Sequence, residues 1–298
     1  MAIETLKSCA KINIGLNIIN KRSDGYHNLE TIFYPVNICD DIEISIERSS
    51  LNKNIIAITS NNPSLPTDST NLCYKAVDNL FLKFQIKQHY DIKIHIDKKI
   101  PVGGGLAGGS SNAGAVIKFL AGHFDISIMD NWDKLIDVCL SVGSDVPFFL
   151  FGKPCYASGR GEKMIPLNNF KIEYDILLIN PNIEVSTKKA FELMGYETGE
   201  MHEGSLGLVD NFDPKYPGLY SNDFEKVVFK EYTEIAEIKD EMMKRGAMFA
   251  SMTGSGATVY GFFAPQNRDK LLNAKEFFSG KGYSTFISYF IRPESKNL

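Results

Sequence analysis

Two stretches of the chain alternate between hydrophobic and polar residues. Isoleucine recurs at every second position within residues 40–49, DDIEISIERS, and within residues 90–99, YDIKIHIDKK. Because successive side chains of a strand point to opposite faces, this alternation predicts strands with one buried and one solvent-facing side. A continuous hydrophobic run in YDILLIN, residues 174–180, predicts a third, fully buried strand.

Other stretches repeat their hydrophobic residues with the period of an α-helix. This period predicts helices over residues 69–84, around residues 113–120 and over residues 132–143, where Gly143 would end the helix. The second half of the chain mixes further helices and strands, such as YTEIAEIKDEMMKRG and TVYGFF. The pattern therefore indicates an α+β protein.

The length of 298 residues allows two domains, and we predict a boundary that separates residues 1–160 from residues 161–298. The composition, with 44% hydrophobic and 23% charged residues, is ordinary for a folded enzyme. The net charge of −4 argues against nucleic acid as the main partner. A net charge of this size is compatible with a small anionic ligand that is bound by a local cluster of hydrogen-bond donors.

The first residues contain charged side chains at Glu4, Lys7 and Lys11, where a signal peptide would be apolar. Nothing in the chain approaches 18 consecutive apolar residues, so no membrane span is predicted. The five cysteines are scattered and form no CxxC pair. They predict reduced thiols in a cytoplasmic protein.

A glycine-rich loop, PVGGGLAGGSSNAGAV at residues 101–116, precedes a predicted helix. A loop with few Cβ atoms exposes its backbone N–H groups beside the positive end of the helix dipole, which suits a phosphate. The loop thus predicts a cradle for the triphosphate of ATP without a side-chain cation, in which Ser110 or Ser111 caps the helix or holds magnesium. A flexible surface loop is the alternative. The candidate nucleotide contacts are Pro101, Gly103, Gly104, Gly105, Leu106, Ala107, Gly108, Gly109, Ser110 and Ser111.

Residues 103–108, GGGLAG, also match the G-x-G-x-x-G pattern of dinucleotide-binding domains, with Asp125 at the distance of a ribose-binding acid. The preceding strand argues against that fold. A parallel strand covered on both faces would be hydrophobic throughout, whereas Lys93 and His95 give residues 90–99 a polar face. The P-loop pattern fails as well, because no lysine follows the glycines.

The glycine loop and four further stretches resemble the GHMP kinases, the family of galactose, homoserine, mevalonate and phosphomevalonate kinases. The DGYH run at residues 24–27 resembles in particular the branch that phosphorylates 4-diphosphocytidyl-2-C-methyl-D-erythritol in non-mevalonate isoprenoid synthesis. The resemblance implies a ribosomal-protein-like N-terminal domain, a ferredoxin-like C-terminal domain and an active site between them, with ATP and Mg²⁺. The four stretches occur in the family's order at residues 10–33, 142–162, 221–225 and 252–263.

The resemblance places the catalytic base on Asp145 and its lysine partner on Lys11. Taken alone, an aspartate after Gly-Ser is typical of a helix cap, and a strand lysine is typical of a solvated surface. Lys11, however, lies between Ala10 and Ile12 in an apolar strand. Asn13 would share its face, two residues along the strand, and would bind the substrate's polyol.

The remaining site residues come from the same resemblance. Tyr26 would stack on cytosine while His27 hydrogen-bonds its edge, although a Tyr-His pair after a turn is often plain surface. Thr187 and Phe191 would contact the substrate and form the other side of the cytosine clamp. A helix-start threonine and a core phenylalanine explain them equally well. The turn TGSG at residues 253–256 would close over the substrate diphosphate, or simply form a hairpin.

Three alternatives to this kinase remain open at this point. A GHMP kinase for a smaller alcohol would not need Tyr26 and His27. A dehydrogenase would use the G-x-G-x-x-G match, and a catalytically inactive relative would only bind ATP. Glu162 is a further candidate for the metal, although an exposed turn carboxylate explains it as well.

Overall fold

The computed structural model describes residues 3–204, residue 206 and residues 212–289. The first of its two sheets has the strand order β3-β4-β2-β5-β6, and β1 pairs with β2 outside that path. These pairs are antiparallel except β3 with β4, which differs from the parallel sheet of a dinucleotide-binding domain. The strands are β1 (Glu4–Lys21), β2 (His27–Arg48), β3 (Ile55–Ser60), β4 (Tyr90–Asp97), β5 (Cys155–Gly159) and β6 (Lys163–Pro166).

Helices from the same half of the chain pack on this sheet. The alternating isoleucines of β2 and β4 face them and are buried, except that Ile46 is partly buried, whereas Lys93 on the opposite face of β4 is exposed. The alternation and the helical periods in this half are therefore confirmed as strands and helices. The helices are α1 (Leu72–Lys83), α2 (Gly108–His123), α3 (Trp132–Val142) and α4 (Val146–Phe151).

The second sheet is antiparallel, with the order β10-β7-β9-β8. Its strands are β7 (Asp175–Asn180), β8 (Phe249–Met252), β9 (Val259–Phe263) and β10 (Ser284–Ser288). Its helices are α5 (Thr187–Met194), α6 (Glu225–Glu231), α7 (Thr233–Lys244) and α8 (Arg268–Gly280), with 3₁₀ turns at Pro217–Tyr220 and Pro265–Asn267. Among the described residues, no helix is both long enough and apolar enough to cross a membrane.

The two halves share a hydrophobic core. Ile12 and Ile14 of β1 pack in one cluster with Leu178 of β7 and Phe262 of β9. The chain passes from the first sheet to the second between Pro166 and Asp175. A domain boundary at residue 160 stays a prediction, while the α+β class is confirmed.

The cysteines differ from the sequence-based expectation. The register of β1 with β2 sets Cys9 opposite Cys39, and the two form a disulfide. The prediction of reduced thiols throughout is therefore wrong for this pair. Cys73, Cys139 and Cys155 are free and buried, and burial raises the pKa of each thiol to about 12.

The glycine-rich loop packs directly against the turn between β8 and β9. The Thr258 N–H donates to the Gly104 carbonyl oxygen at 3.2 Å, and the Thr253 hydroxyl lies 3.3 Å from the Gly105 carbonyl oxygen. Gly105 has φ +76°, and a Cβ there would overlap the Thr253 carbonyl. The backbone of the glycine-rich loop contacts the backbone of the turn between β8 and β9. The absence of a side chain at Gly105 therefore allows these two segments to pack closely.

We expect Gly105→Ala to lower the free energy of unfolding by about 2 kcal/mol, because its methyl group meets a backbone carbonyl at a left-handed φ. Gly109→Ala is the matched control, since a Cβ there meets only Leu72 Cδ1, at 3.4 Å. The control should stay within about 1 kcal/mol of the original protein. Chemical unfolding followed by circular dichroism measures both, and equal stabilities would contradict this account of the contact.

Candidate active site

A cavity of about 1310 Å³ lies between the two halves. Its walls come from the glycine-rich loop, the turn between β1 and β2, the start of α4, helix α5 and the TGSG turn. Most of the candidate residues from the sequence line it. They are Lys11, Asn13, Tyr26, His27, Pro101, Gly103, Gly104, Gly105, Ala107, Gly108, Gly109, Ser110, Asp145, Thr187 and Phe191.

Two residues of the glycine-rich loop turn away from this cavity. Leu106 is buried in the shared core, and its carbonyl oxygen accepts a hydrogen bond from the Lys11 N–H at 3.3 Å. Ser111 is buried, and its hydroxyl donates to the Cys9 carbonyl oxygen at 2.7 Å. Helix α2 begins after Ala107 with no side-chain cap, so the predicted serine cap is wrong. Ser110 still faces the cavity.

A buried lysine also lines the cavity beside this loop. A Cβ on Gly108 would lie 2.6 Å from Lys98 Nζ, so the ammonium group stands next to the first turn of α2. Lys98 pairs with the buried Asp40, which also accepts from the Asn112 amide at 2.8 Å. Burial lowers the pKa of Lys98, and Asp40 opposes that shift. A lysine therefore stands beside a loop that the sequence predicted as a cradle without a side-chain cation, and the phosphate-binding role of this loop stays a prediction.

Lys11 and Asp145 both line the cavity, with Lys11 Nζ 3.8 Å from Asp145 Oδ2. The Lys11 side chain is 3% exposed and also donates to Asn13 Oδ1 at 2.6 Å. Burial lowers the pKa of Lys11, and the Asp145 carboxylate acts in the opposite direction. The pair places a buried cation beside a carboxylate that is 38% exposed.

Asp145 immediately precedes α4, the position of a helix cap. Its side chain makes no capping hydrogen bond, however, and faces Lys11 instead. Pro147 in the first turn of α4 removes one backbone N–H that would otherwise need a partner. The position thus allows the carboxylate to point into the cavity.

Asn13 is held from several sides by the protein. Its backbone N–H donates to Thr253 Oγ1 at 3.0 Å, and its side-chain amide donates to Thr31 Oγ1 at 2.9 Å. Its Oδ1 accepts from Lys11. Asn13 therefore orients the Lys11 ammonium group as well as lining the cavity.

Aromatic rings form the end of the cavity near the turn between β1 and β2. The Tyr26 ring is 49% exposed, and the Arg160 guanidinium lies 3.5 Å from its centre. The His27 and Phe191 rings stack with their centres 4.2 Å apart and their planes 11° apart. Thr187 and Phe191 both lie on α5, and the Thr187 hydroxyl contacts the Ser255 hydroxyl at 2.7 Å. Burial lowers the pKa of His27.

The TGSG turn closes a β8–β9 hairpin, as the simpler of its two interpretations predicts, and it also lines the cavity. Its place over the substrate diphosphate stays a prediction. Asn222, in the SNDFE stretch, donates to the carbonyl oxygens of Met252 and Gly254 at 2.7 and 2.8 Å. Residues 221–225 belong to the stretches that resemble the GHMP kinases, but no role was predicted for them. Asn222 therefore holds the N-terminal side of the turn.

The Glu162 side chain accepts a hydrogen bond within the turn that carries it. Its Oε2 accepts from the Arg160 backbone N–H at 2.6 Å, and it does not line the cavity. Among the residues that the structure describes, no group of three or more His, Cys, Asp and Glu side chains could hold a metal ion.

Comparison with known proteins agrees with this arrangement. Residues 71–153 match the model for GHMP kinases N terminal domain, and residues 208–283 match that for GHMP kinases C terminal. A 4-diphosphocytidyl-2-C-methyl-D-erythritol kinase of Bacteroides fragilis is 37% identical over 87% of this chain and 92% of its own. Another, of Clostridium perfringens, is 37% identical over 98% of this chain and 99% of its own.

The chain belongs to the 4-diphosphocytidyl-2-C-methyl-D-erythritol kinase family of GHMP kinases. A crystal structure of 4-(cytidine 5'-diphospho)-2C-methyl-D-erythritol kinase has a TM-score of 0.72 at 24% identity. The match covers 96% of this chain and 98% of that one, so the GHMP kinase fold extends over nearly the whole molecule.

The contact between Lys11 and Asp145 leads to a titration experiment on this kinase. Because Asp145 raises the pKa of Lys11 against the effect of burial, Asp145→Asn should lower that pKa further below its ordinary value of 10.5. Lys11 should then lose its proton at a lower pH than in the unaltered protein. NMR of ¹³C-labelled lysine, with the Lys11 signal assigned through Lys11→Arg, follows both titrations. An unchanged or higher midpoint would show that the two groups do not interact.

Proposed function

We propose that this GHMP kinase transfers the γ-phosphoryl group of ATP to the 2-hydroxyl of 4-diphosphocytidyl-2-C-methyl-D-erythritol. The products are the 2-phosphate and ADP, and the reaction belongs to non-mevalonate isoprenoid precursor synthesis in the cytoplasm. One observation carries the proposal: a single cavity joins a glycine-rich phosphate loop, a Lys–Asp pair and an aromatic end.

The glycine-rich loop is the part suited to the triphosphate. Gly108 and Gly109 begin α2, so their N–H groups lack partners within the helix and lie at its positive end. Lys98 adds a cation beside Gly108. Amide groups, the helix dipole and this cation together favour the negative charge of the phosphates.

The Lys–Asp pair is suited to the alcohol that is phosphorylated. Asp145 accepts the hydroxyl proton, and Lys11 orients the same hydroxyl and offsets the charge that develops on the transferred group. A carboxylate is a weak base for a free alcohol, but in a loose transition state the proton leaves late, when the oxygen is already bonding to phosphorus. Mg²⁺ on the ATP phosphates, near Ser110 and Asp145, would supply further charge neutralisation.

The aromatic end is suited to a pyrimidine base. Tyr26 presents a half-exposed ring, and Phe191 presents a face that the His27 ring covers. A base that stacks on the open face of Tyr26 would gain about 1–3 kcal/mol. A kinase for a small alcohol, such as mevalonate or homoserine, would have no use for these rings, so this end favours the nucleotide-linked substrate.

A panel of acceptors tests the assignment. The purified protein is incubated with ATP, Mg²⁺ and either 4-diphosphocytidyl-2-C-methyl-D-erythritol, mevalonate, homoserine or galactose, and ³¹P NMR follows the phosphate ester that forms. We expect a phosphomonoester on the diphosphocytidyl substrate alone. Faster phosphorylation of one of the smaller alcohols would favour that alternative, and no turnover of any acceptor would favour an inactive ATP-binding relative.

Asp145→Asn tests the chemical step. It keeps the size of the side chain but removes the proton acceptor, so kcat should fall by at least about 10²-fold. Asp137→Asn is the matched control, because Asp137 pairs with Lys83 on the surface and is 63% exposed. The control should keep its kcat within about twofold of the original value. A near-normal kcat for Asp145→Asn would remove Asp145 from the role of base.

A further inference from the structure

Arg160 lines the cavity, although no pattern in the sequence assigned it a role. It lies in the turn between β5 and β6, between Gly159 and Gly161, and Glu162 holds its backbone N–H at 2.6 Å. The pairing of β5 with β2 sets Gly159 opposite Leu29. That register brings the following residue, Arg160, beside the turn that carries Tyr26.

The Arg160 side chain makes two contacts at once. Its guanidinium carbon lies 3.5 Å from the centre of the Tyr26 ring, within the range of a cation–π interaction. Its Nη2 donates to the Ser144 hydroxyl at 2.9 Å. A planar guanidinium can stack on a ring and donate in its own plane simultaneously, which a lysine ammonium cannot do.

These contacts join the two ends of the cavity. Ser144 directly precedes Asp145, whose carboxylate faces Lys11. Tyr26 lies on an exposed turn and has two ring faces, of which Arg160 covers one and leaves the other for a base. A single side chain therefore supports both the ring proposed to recognise the base and the segment proposed to receive the hydroxyl proton.

We propose that Arg160 is a positioning residue that couples recognition of the cytidine diphosphate part of the substrate to phosphoryl transfer. It steadies Tyr26 for base stacking and, through Ser144, holds Asp145 in line with the hydroxyl. This inference rests on the proposed function, since it uses the base and the acceptor alcohol of that substrate. Arg160 itself need not touch the reacting atoms.

A double-mutant cycle tests the coupling. Arg160→Gln removes the cation but keeps a polar side chain, and it should raise the KM for the diphosphocytidyl substrate about tenfold while the KM for ATP stays within about twofold. In the Tyr26→Ala background the same change should alter the substrate KM less than about twofold, because the ring it supports is gone. A merely structural role would raise both KM values and would add to the effect of Tyr26→Ala.

Two further variants separate the contacts of Arg160. Arg160→Lys keeps a cation over Tyr26 but loses the planar donor, so it should restore most of the substrate KM and leave kcat reduced. Ser144→Ala should reduce kcat to a similar extent with the substrate KM nearly unchanged. If Arg160→Lys fails to restore the KM, or if the effects of Arg160→Gln and Tyr26→Ala are simply additive, the inference is overturned.

Binding measurements test the role of Arg160 without relying on the proposed reaction. Calorimetry with cytidine 5′-diphosphate needs no turnover, and Arg160→Gln should weaken its binding about tenfold, with no such loss in the Tyr26→Ala background. If the unaltered protein phosphorylates the diphosphocytidyl substrate but Arg160→Gln binds the nucleotide normally, only the role of Arg160 is refuted. If the unaltered protein does not bind cytidine 5′-diphosphate, the proposed function and this inference both fail.

Discussion

The arrangement of the cavity depends on one buried hydroxyl group, that of Thr253. It accepts a hydrogen bond from the Asn13 N–H at 3.0 Å and can donate to the Gly105 carbonyl oxygen at 3.3 Å. Strand β1, the glycine-rich loop and the TGSG turn meet at this atom, and Thr253 is fully buried. A hydrogen bond shielded from water has no solvent partner to replace it, so these three segments hold their relative positions firmly.

The position of the Lys11 ammonium group follows from that junction. Asn13 is held by Thr253 and Thr31, and it in turn accepts from Lys11. A cation that is 3% exposed is costly to bury unless it is paired and hydrogen-bonded. Asp145 and Asn13 meet this need, and Lys11 Nζ lies over the face of the Phe33 ring, 4.8 Å from its centre. The protein thus keeps a poorly hydrated positive charge in the lining of the cavity.

Local patterns in the sequence predicted the strands and helices well, because alternation and the helical period depend only on neighbouring residues. They also indicated a phosphate loop, and the family resemblance brought Lys11 and Asp145 together. Features that depend on strand register were missed. Cys9 faces Cys39 and Arg160 approaches Tyr26 only because distant strands pair in one particular alignment. The glycines illustrate a second limit, since a side chain at Gly105 would overlap the Thr253 carbonyl, a contact between distant segments that no local pattern shows.

The stack of His27 on Phe191 bears on how such a cavity would distinguish substrates. A base that settles on Phe191 must first displace the His27 ring, so it exchanges one stacking contact for another and gains little from that face alone. The remaining gain must come from the open face of Tyr26 and from hydrogen bonds to the edge of the base. An alcohol without a base displaces nothing and gains neither contribution. Only a ligand with both a flat ring and matching polar groups therefore offsets the cost of separating the His27 and Phe191 rings. This requirement favours specificity over affinity.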